Sequence, residues 1–365
     1  MSDSVILPKN GIDPHGMIIG EGQFQYRVNN RWGILDKEKY PVENCHDFAI
    51  DSQQRIYMVT DHPDNQVIVY DVNGNVVDAF GKMFPGAHAI EIVKEGNKEN
   101  DSEQEFIYLV DSGWITNRNW DGVSTDAWDS PKNKVIAQAG FIAKLTLDGQ
   151  LLFTISHPQT IGIYTPDMPY RPTDIAVNSN GDIYVCDGYG SDYVIQYDKQ
   201  GRYIRHFGGH DNKDANHNLV NAHGIAIDTR NPEKKQLIIS SRAEQCLKLF
   251  SLEGEYQGKI NTPGAWVHGP VFAKDYFVTS VCWSDIDGKN VDNSGYVSIF
   301  DNHDKVVVNL GAGKPEYRDN QLQPMTTTWD IFNHPHGICI DNDDNIYVGQ
   351  WRAGQSYPIK LEKIG

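Results

Sequence analysis

Long apolar runs are missing from this chain. No window approaches the ~18 consecutive apolar residues of a membrane-spanning helix, and Met1 to Pro8 carries neither the basic start nor the apolar stretch of a secretory leader. The expected setting is therefore cytoplasmic, with no membrane partner. Positive charge is also in short supply: 32 Lys and Arg stand against 49 Asp and Glu, a net charge of −17. Such a surface repels phosphate backbones and anionic lipid, which argues against nucleic acid as a partner. The five cysteines, Cys45, Cys186, Cys246, Cys282 and Cys339, are odd in number, widely spaced and never arranged as Cys-x-x-Cys. Most sit in apolar strand-like runs, as reduced core residues do, rather than as a disulfide framework or a nucleophile. Segments with helical periodicity are absent, and so is any glycine-rich phosphate loop.

What remains is a chain of 365 residues, 39% apolar and 22% charged, with ample material for a core. Short runs alternate apolar and polar residues and end in glycine turns, as in 66–75, 194–201 and 247–254, which reads as a series of hairpins. The chain also repeats itself. Innermost strands begin near 46, 88, 172, 223, 268 and 336, and each leads to a second strand such as Ile-Tyr-Met-Val-Thr-Asp at 56–61 or Ile-Tyr-Val-Cys-Asp at 183–187. Six units of four short strands, spaced by roughly 40–50 residues, predict an all-β, six-bladed β-propeller spanning residues 1–365 as one domain. The last unit runs out at 357–361 while a strand at 23–27 is unassigned, so the N-terminal strand is expected to close the last blade and cover both edges. One insertion, about 97–138, is too polar for core yet carries Trp114, Trp120 and Trp128; it reads as a rim loop, because the repeat resumes in phase after it.

Aligning the units places His46, His88, His223, His268 and His336 at one point, the start of the innermost strand, with Thr173 in the sixth slot. Only 13 histidines exist in the chain, so five in equivalent slots is a pattern. Innermost strands line the channel of a propeller, and these imidazoles should converge at one mouth. They could be repeat-consensus residues that bond the backbone. The sharper reading is a metal site: His88, His223 and His336 come from alternate blades, about 120° apart, and suit a three-imidazole centre with an open fourth position. Zn2+ is the default ion, with iron, manganese and cobalt left open because imidazole is unselective.

These histidines, with the segments at 171–177 (Arg-Pro-Thr-Asp-Ile-Ala-Val), 183–189 (Ile-Tyr-Val-Cys-Asp-Gly-Tyr), 223–227 and Pro335-His336, resemble peptidyl-α-hydroxyglycine α-amidating lyase. That family is a six-bladed propeller of the NHL-repeat class. Similarity is densest from Arg171 to about Gly258 and returns from Pro335 to Val348. The resemblance implies a catalytic zinc on His88, His223 and His336, Tyr189 as catalytic base, and Arg242 as the active-site arginine. There are departures. A cysteine of the secreted members is Gly190 here, which removes that disulfide. The aspartate that helps to hold a structural calcium in the family is Gly337, which weakens the case for Ca2+. His334 replaces a methionine of the animal enzymes, and His46 and His268 are imidazoles that the family pattern does not require.

A metal on neutral imidazoles keeps its double charge and can acidify a bound hydroxyl. The substrate expected is a small molecule of the N-acyl hemiaminal type, cleaved at its C–N bond to an aldehyde and an amide, with Arg242 on a carboxylate or carbonyl. His46, His268, His334, Trp283, Trp351 and Arg352 are the candidate substrate-contacting residues, the tryptophans giving the mouth an apolar wall. Two other readings stand beside this one. The first is a hydrolase or hydratase-type lyase using metal-bound hydroxide on a non-peptide substrate. The second is a propeller that docks a protein on its face and binds no metal. Six-bladed lactonases share the ring but hold calcium on carboxylate and Asn ligands, whereas this ring is rich in imidazole.

Overall fold

The computed structural model describes residues 5–97, 102–117 and 135–364. Most of its strands fall into six antiparallel sheets of four or more strands, arranged around one axis as a β-propeller, with two short two-stranded ribbons beside them. Blade 1 is Cys45–Ile50, Ile56–His62, Asn65–Tyr70 and Val76–Phe80, in that order from the axis outward. Blades 2, 3 and 4 repeat the order from inner strands Ala87–Asn97, Asp174–Val177 and Ala222–Asp228. Blade 6 begins with Pro335–Ile340 and Ile346–Gln350, followed by Ile359–Lys363. Its outer strands come from the other end of the chain, Phe24–Asn29 and then Ile18–Glu21. Val28 pairs with Leu361, so the expected closure is present.

Local chemistry explains the regularity. Second and third strands carry β-branched and aromatic residues on both faces because each sheet is sandwiched between neighbouring blades; Val67, Ile68, Val69 and Tyr70 are all buried. Hairpins turn on an Asx device: the Asp71 carboxylate accepts from the N–H groups of Asn73 and Asn75, and Gly74 follows at φ +85°. Asp341 repeats the device with Asp343 and Asn345.

Blade 5 departs from the pattern in a place that matters. Its inner strand is split into Ala265–Val267 and Val271–Ala273, both paired with the long strand Tyr276–Ile286. Pro270 has no N–H to continue the ladder, and His268 sits in the gap, its N–H given to the Ser280 carbonyl at 3.0 Å. The expected insertion is shorter than the sequence suggested. Ser102–Asp111 is the second strand of blade 2 and pairs with Ala87–Asn97, while Trp114–Thr116 and Val135–Ala137 form a separate two-stranded ribbon. Trp120 and Trp128 lie outside the described residues.

A candidate metal centre and active site

The five histidines meet at one mouth of the channel, all buried. The ring centroids of His88, His223 and His336 form a nearly equilateral triangle with sides of 4.9, 5.0 and 5.1 Å. His46 lies against one edge, 4.8 Å from His88 and 4.7 Å from His336. His268 lies against another, 4.3 Å from His223 and 4.1 Å from His336. Among the described residues, two triplets bring one nitrogen of each ring within 4.8 Å of the others: His46, His88 and His336, and His223, His268 and His336. His336 belongs to both.

Hydrogen bonds between blades fix several rings. His88 Nδ1 donates to the Thr173 carbonyl at 2.7 Å, and His336 Nδ1 to the His46 carbonyl at 2.6 Å. A carbonyl only accepts, so both rings carry their proton on Nδ1 and present Nε2 as a lone pair. Burial, reinforced by nearby positive groups, holds His88, His223, His268 and His336 well below the usual imidazole range, which keeps them neutral. Neutral, pre-oriented imidazoles a few ångströms apart are a donor set that fits a divalent transition metal.

Above the ring, Tyr189 reaches two imidazoles at once: its hydroxyl is 3.2 Å from His88 Nε2 and 2.6 Å from His223 Nε2. Backbone geometry makes this approach possible. Gly188 has no room for a side chain, since a Cβ there would fall 1.7 Å from the Ala222 carbonyl oxygen. Trp114 stacks on the Tyr189 ring at 4.4 Å and 12°. Burial raises the pKa of the tyrosine, with Arg242 opposing.

Arg242 is 5% exposed. Its guanidinium lies 5.8 Å from the Tyr189 ring, 5.5 Å from Trp266 and 5.9 Å from Trp283, and its Nε donates to Asn221 Oδ1. Among the described residues it forms no ion pair. A buried cation flanked by three aromatic faces is an anion or carbonyl receptor in waiting.

The remaining candidates divide. Trp283 joins Trp266 at 5.6 Å and Trp351 at 5.3 Å, extending the aromatic wall from Arg242. His334 sits beside Trp283, but both of its nitrogens are engaged: Nδ1 donates to the Trp351 carbonyl and Nε2 accepts from the Asn293 N–H. It braces the loop rather than offering a free nitrogen. Arg352 is exposed, lying over the Trp351 ring and 3.9 Å from Asp292. Sequence reasoning missed Trp266, Asn221 and Asp61, whose carboxylate takes His46 Nε2 at 3.0 Å. A signal for Asp61 existed. It follows Thr60, the partner of Cys45, as Arg242 follows Ser241, the partner of Ala222, and Trp351 follows Gln350, the partner of Pro335. That second repeated slot looks onto the histidine mouth.

Below the imidazoles the channel opens into a cavity of about 450 Å³. Its wall mixes aliphatic side chains, Ile50, Ile92 and Val177 among them, with polar ones, and it carries Asp47, Glu91, Asp174 and Lys235. Asp47 and Asp174 each accept a backbone N–H from the next blade, from Ile90 and Ile225. Burial pushes all three acids above the usual carboxylate range, and the Asp174 charge adds to the rise at Asp47 and Glu91.

The NHL-repeat family model matches residues 170–191, the stretch that contains Thr173 and Tyr189. The chain is a β-propeller with an NHL repeat. Among solved structures it is similar to a gluconolactonase from Xanthomonas campestris, with 12% identity over 98% of this chain and 97% of the other and a TM-score of 0.55. Streptogramin B lyase is similar at 12% identity, 94% and 99% coverage and TM-score 0.51. So is a catalytically inactive histidine-to-alanine variant of virginiamycin B lyase from Staphylococcus aureus with quinupristin, at 12%, 93% and 100% coverage and TM-score 0.50. At this identity the likeness is one of fold. No curated protein matches the sequence. Among the described residues, no helix is long and apolar enough to cross a membrane.

Proposed function

We propose that the protein is a metal-dependent lyase of the amidating-lyase type, acting on a small substrate that contains an N-acyl hemiaminal. The observation that carries this reading is the Tyr189 hydroxyl held within 3.2 Å of two imidazoles of a buried ring. A divalent transition metal, Zn2+ in the first instance, would be held by His88 and His336 with a third imidazole, His223 in the set that the resemblance implies. Bound there, the ion supplies a positive charge that favours ionisation of the substrate hydroxyl.

The chain's own residues account for the rest. Tyr189 would hold and move the proton: with a cation on the neighbouring imidazoles favouring its phenolate, it would take the substrate hydroxyl proton as the C=O bond forms and the C–N bond breaks, and return it to the departing amide nitrogen. The bond pair goes to nitrogen, so an aldehyde and an amide leave with no redox change. Arg242 is oriented to bind a carboxylate or carbonyl of the substrate, and the wall of Trp266, Trp283 and Trp351 packs its apolar part and excludes water. Fold neighbours that include lyases and a lactonase are consistent with an enzyme.

The test is to load the purified protein with Zn2+ and screen N-acyl hemiaminals and α-hydroxyglycine derivatives for aldehyde release. Release that needs the metal and falls at least about 100-fold in Tyr189→Phe supports the proposal. Metal uptake without turnover of any such substrate counts against it.

A further inference from the structure

Given the ring as a metal centre, the reading on which this ligand assignment rests, the hydrogen bonds around each imidazole discriminate between candidate ligands. Protein metal sites hold the outer N–H of each ligating imidazole on a carboxylate, a carbonyl or water, which fixes the tautomer and aims the inner lone pair at the ion. His88 and His336 meet this condition through the Thr173 and His46 carbonyls. His46 meets it more strongly. Its Nε2 lies 3.0 Å from Asp61 Oδ2, and Asp61 is itself fixed by the Asn44 N–H and side-chain amide. The other nitrogen, His46 Nδ1, is buried with no hydrogen-bond partner. Unsatisfied buried nitrogen is costly in a ring that makes such a strong outer bond, unless something on the inner side takes the lone pair.

The other two imidazoles lack this support. His223 spends Nε2 on Tyr189, and its Nδ1 is buried without a partner; His268 Nε2 is also buried and unpartnered. Neither ring has an outer acceptor among the hydrogen bonds of the described residues.

We infer that the metal sits on His46, His88 and His336, with Asp61 as the outer carboxylate behind His46, and that His223 serves as the partner of Tyr189. One nitrogen from each of the three ligands lies within 4.8 Å of the others. His88 Nε2 touches the Tyr189 hydroxyl, so an ion on this triplet remains next to the tyrosine while His223 holds the phenol from its other side. His223 is then a positioning residue, and the three ligands come from consecutive blades 6, 1 and 2 rather than from alternate ones.

The experiment is competitive titration of the metal-stripped, full-length protein with Zn2+ against a chromophoric chelator, followed by Co2+ visible absorption as a report of ligand geometry. His46→Ala should weaken Zn2+ binding by about 100-fold or more and alter the Co2+ spectrum, and Asp61→Asn should weaken it by about 10–100-fold. His223→Ala and His268→Ala should keep the wild-type affinity to within about threefold. Circular dichroism controls for folding, and Asp61→Asn, which keeps the shape of the side chain, decides the question should His46→Ala not fold. Wild-type affinity in both His46→Ala and Asp61→Asn, with loss in His223→Ala, overturns this ligand set while leaving the lyase proposal standing. Absence of any Zn2+ or Co2+ uptake by the wild type overturns both.

Discussion

The two ends of the channel are built from the same six inner strands, yet they have opposite chemistry. At the upper mouth, the starts of those strands and the gap in blade 5 bring together five imidazoles, with Tyr189 and Arg242 added from just beyond the second strands of blades 3 and 4. One or three residues further along, the same strands supply Asp47, Glu91 and Asp174 to a cavity that Lys235 and aliphatic side chains also line. His88, His223, His268 and His336, kept neutral by burial, face acids pushed toward neutrality, with no layer of ordinary core between them. A repeated backbone thus fixes where a side chain points, while one step in register decides whether it belongs to a site or to the wall behind it.

The largest effect should separate the two ends outright. His336→Ala removes the one ring common to both candidate triplets and should lower Zn2+ affinity by about 1,000-fold or more, whereas Asp174→Asn in the lower cavity should leave it unchanged. Isothermal titration on the two variants reads this directly; equal losses would mean that the ends do not act independently. Next comes Tyr189→Phe, expected to cut the turnover rate by about 100- to 10,000-fold with metal content intact, as measured by steady-state kinetics beside elemental analysis.

A smaller effect should couple the ends. Gly337 lies between them, and a Cβ there would fall 2.3 Å from Asp47 Cα and 2.4 Å from the His46 carbonyl oxygen. Gly337→Ala should therefore cost about 1–3 kcal/mol in urea unfolding and loosen the His336 ring that this carbonyl holds. Full stability with wild-type metal affinity would show that the wall yields more easily than its packing implies.

The smallest effect concerns pH and differs in sign between the ends. In the metal-free protein His88, His223, His268 and His336 have depressed pKa values, so their contribution to stability is present above the unfolded value of about 6.5 and is lost as pH falls below it. The lower acids have raised values. Their contribution is present below the unfolded carboxylate value of about 4 and is lost as pH rises through the folded one. Asp174→Asn removes part of the second trend, and its advantage over the wild type should grow with pH, to about 1 kcal/mol at pH 8. Urea melts of the two proteins at pH 5 and 8 measure it, and an advantage that shrinks with pH would refute the assignment.

Much of this comparison can be read in the sequence. The six-fold recurrence of the inner strand identifies the propeller, and the recurrence of histidine at its start identifies the upper mouth, because a repeat transmits position from one unit to the next. Features that break the repeat are harder to see. Pro270 splits the inner strand of blade 5, and only the pairing of the two halves with Tyr276–Ile286 shows how His268 is displaced. Which nitrogen of a ring is free depends on partners remote in sequence, such as Thr173 for His88, 85 positions away. His334 looks like His336 in sequence, yet two backbone contacts consume it. The pairing of His46 with Asp61 follows from a second repeated slot that also holds Arg242 and Trp351, and no common residue type there announces a shared role.

The closure of blade 6 by Phe24–Asn29 has a consequence for assembly. A strand translated early cannot find its place until Ile359–Lys363 has emerged, so the circle is completed last, at the junction of blades 6 and 1. The His336 bond to the His46 carbonyl crosses that same junction, 290 positions apart in sequence. An ion shared by His46, His88 and His336 would be a clasp fastened over the seam, available only to chains that have finished folding. Metal occupancy would then mark completed molecules, and partly made ones would stay inert.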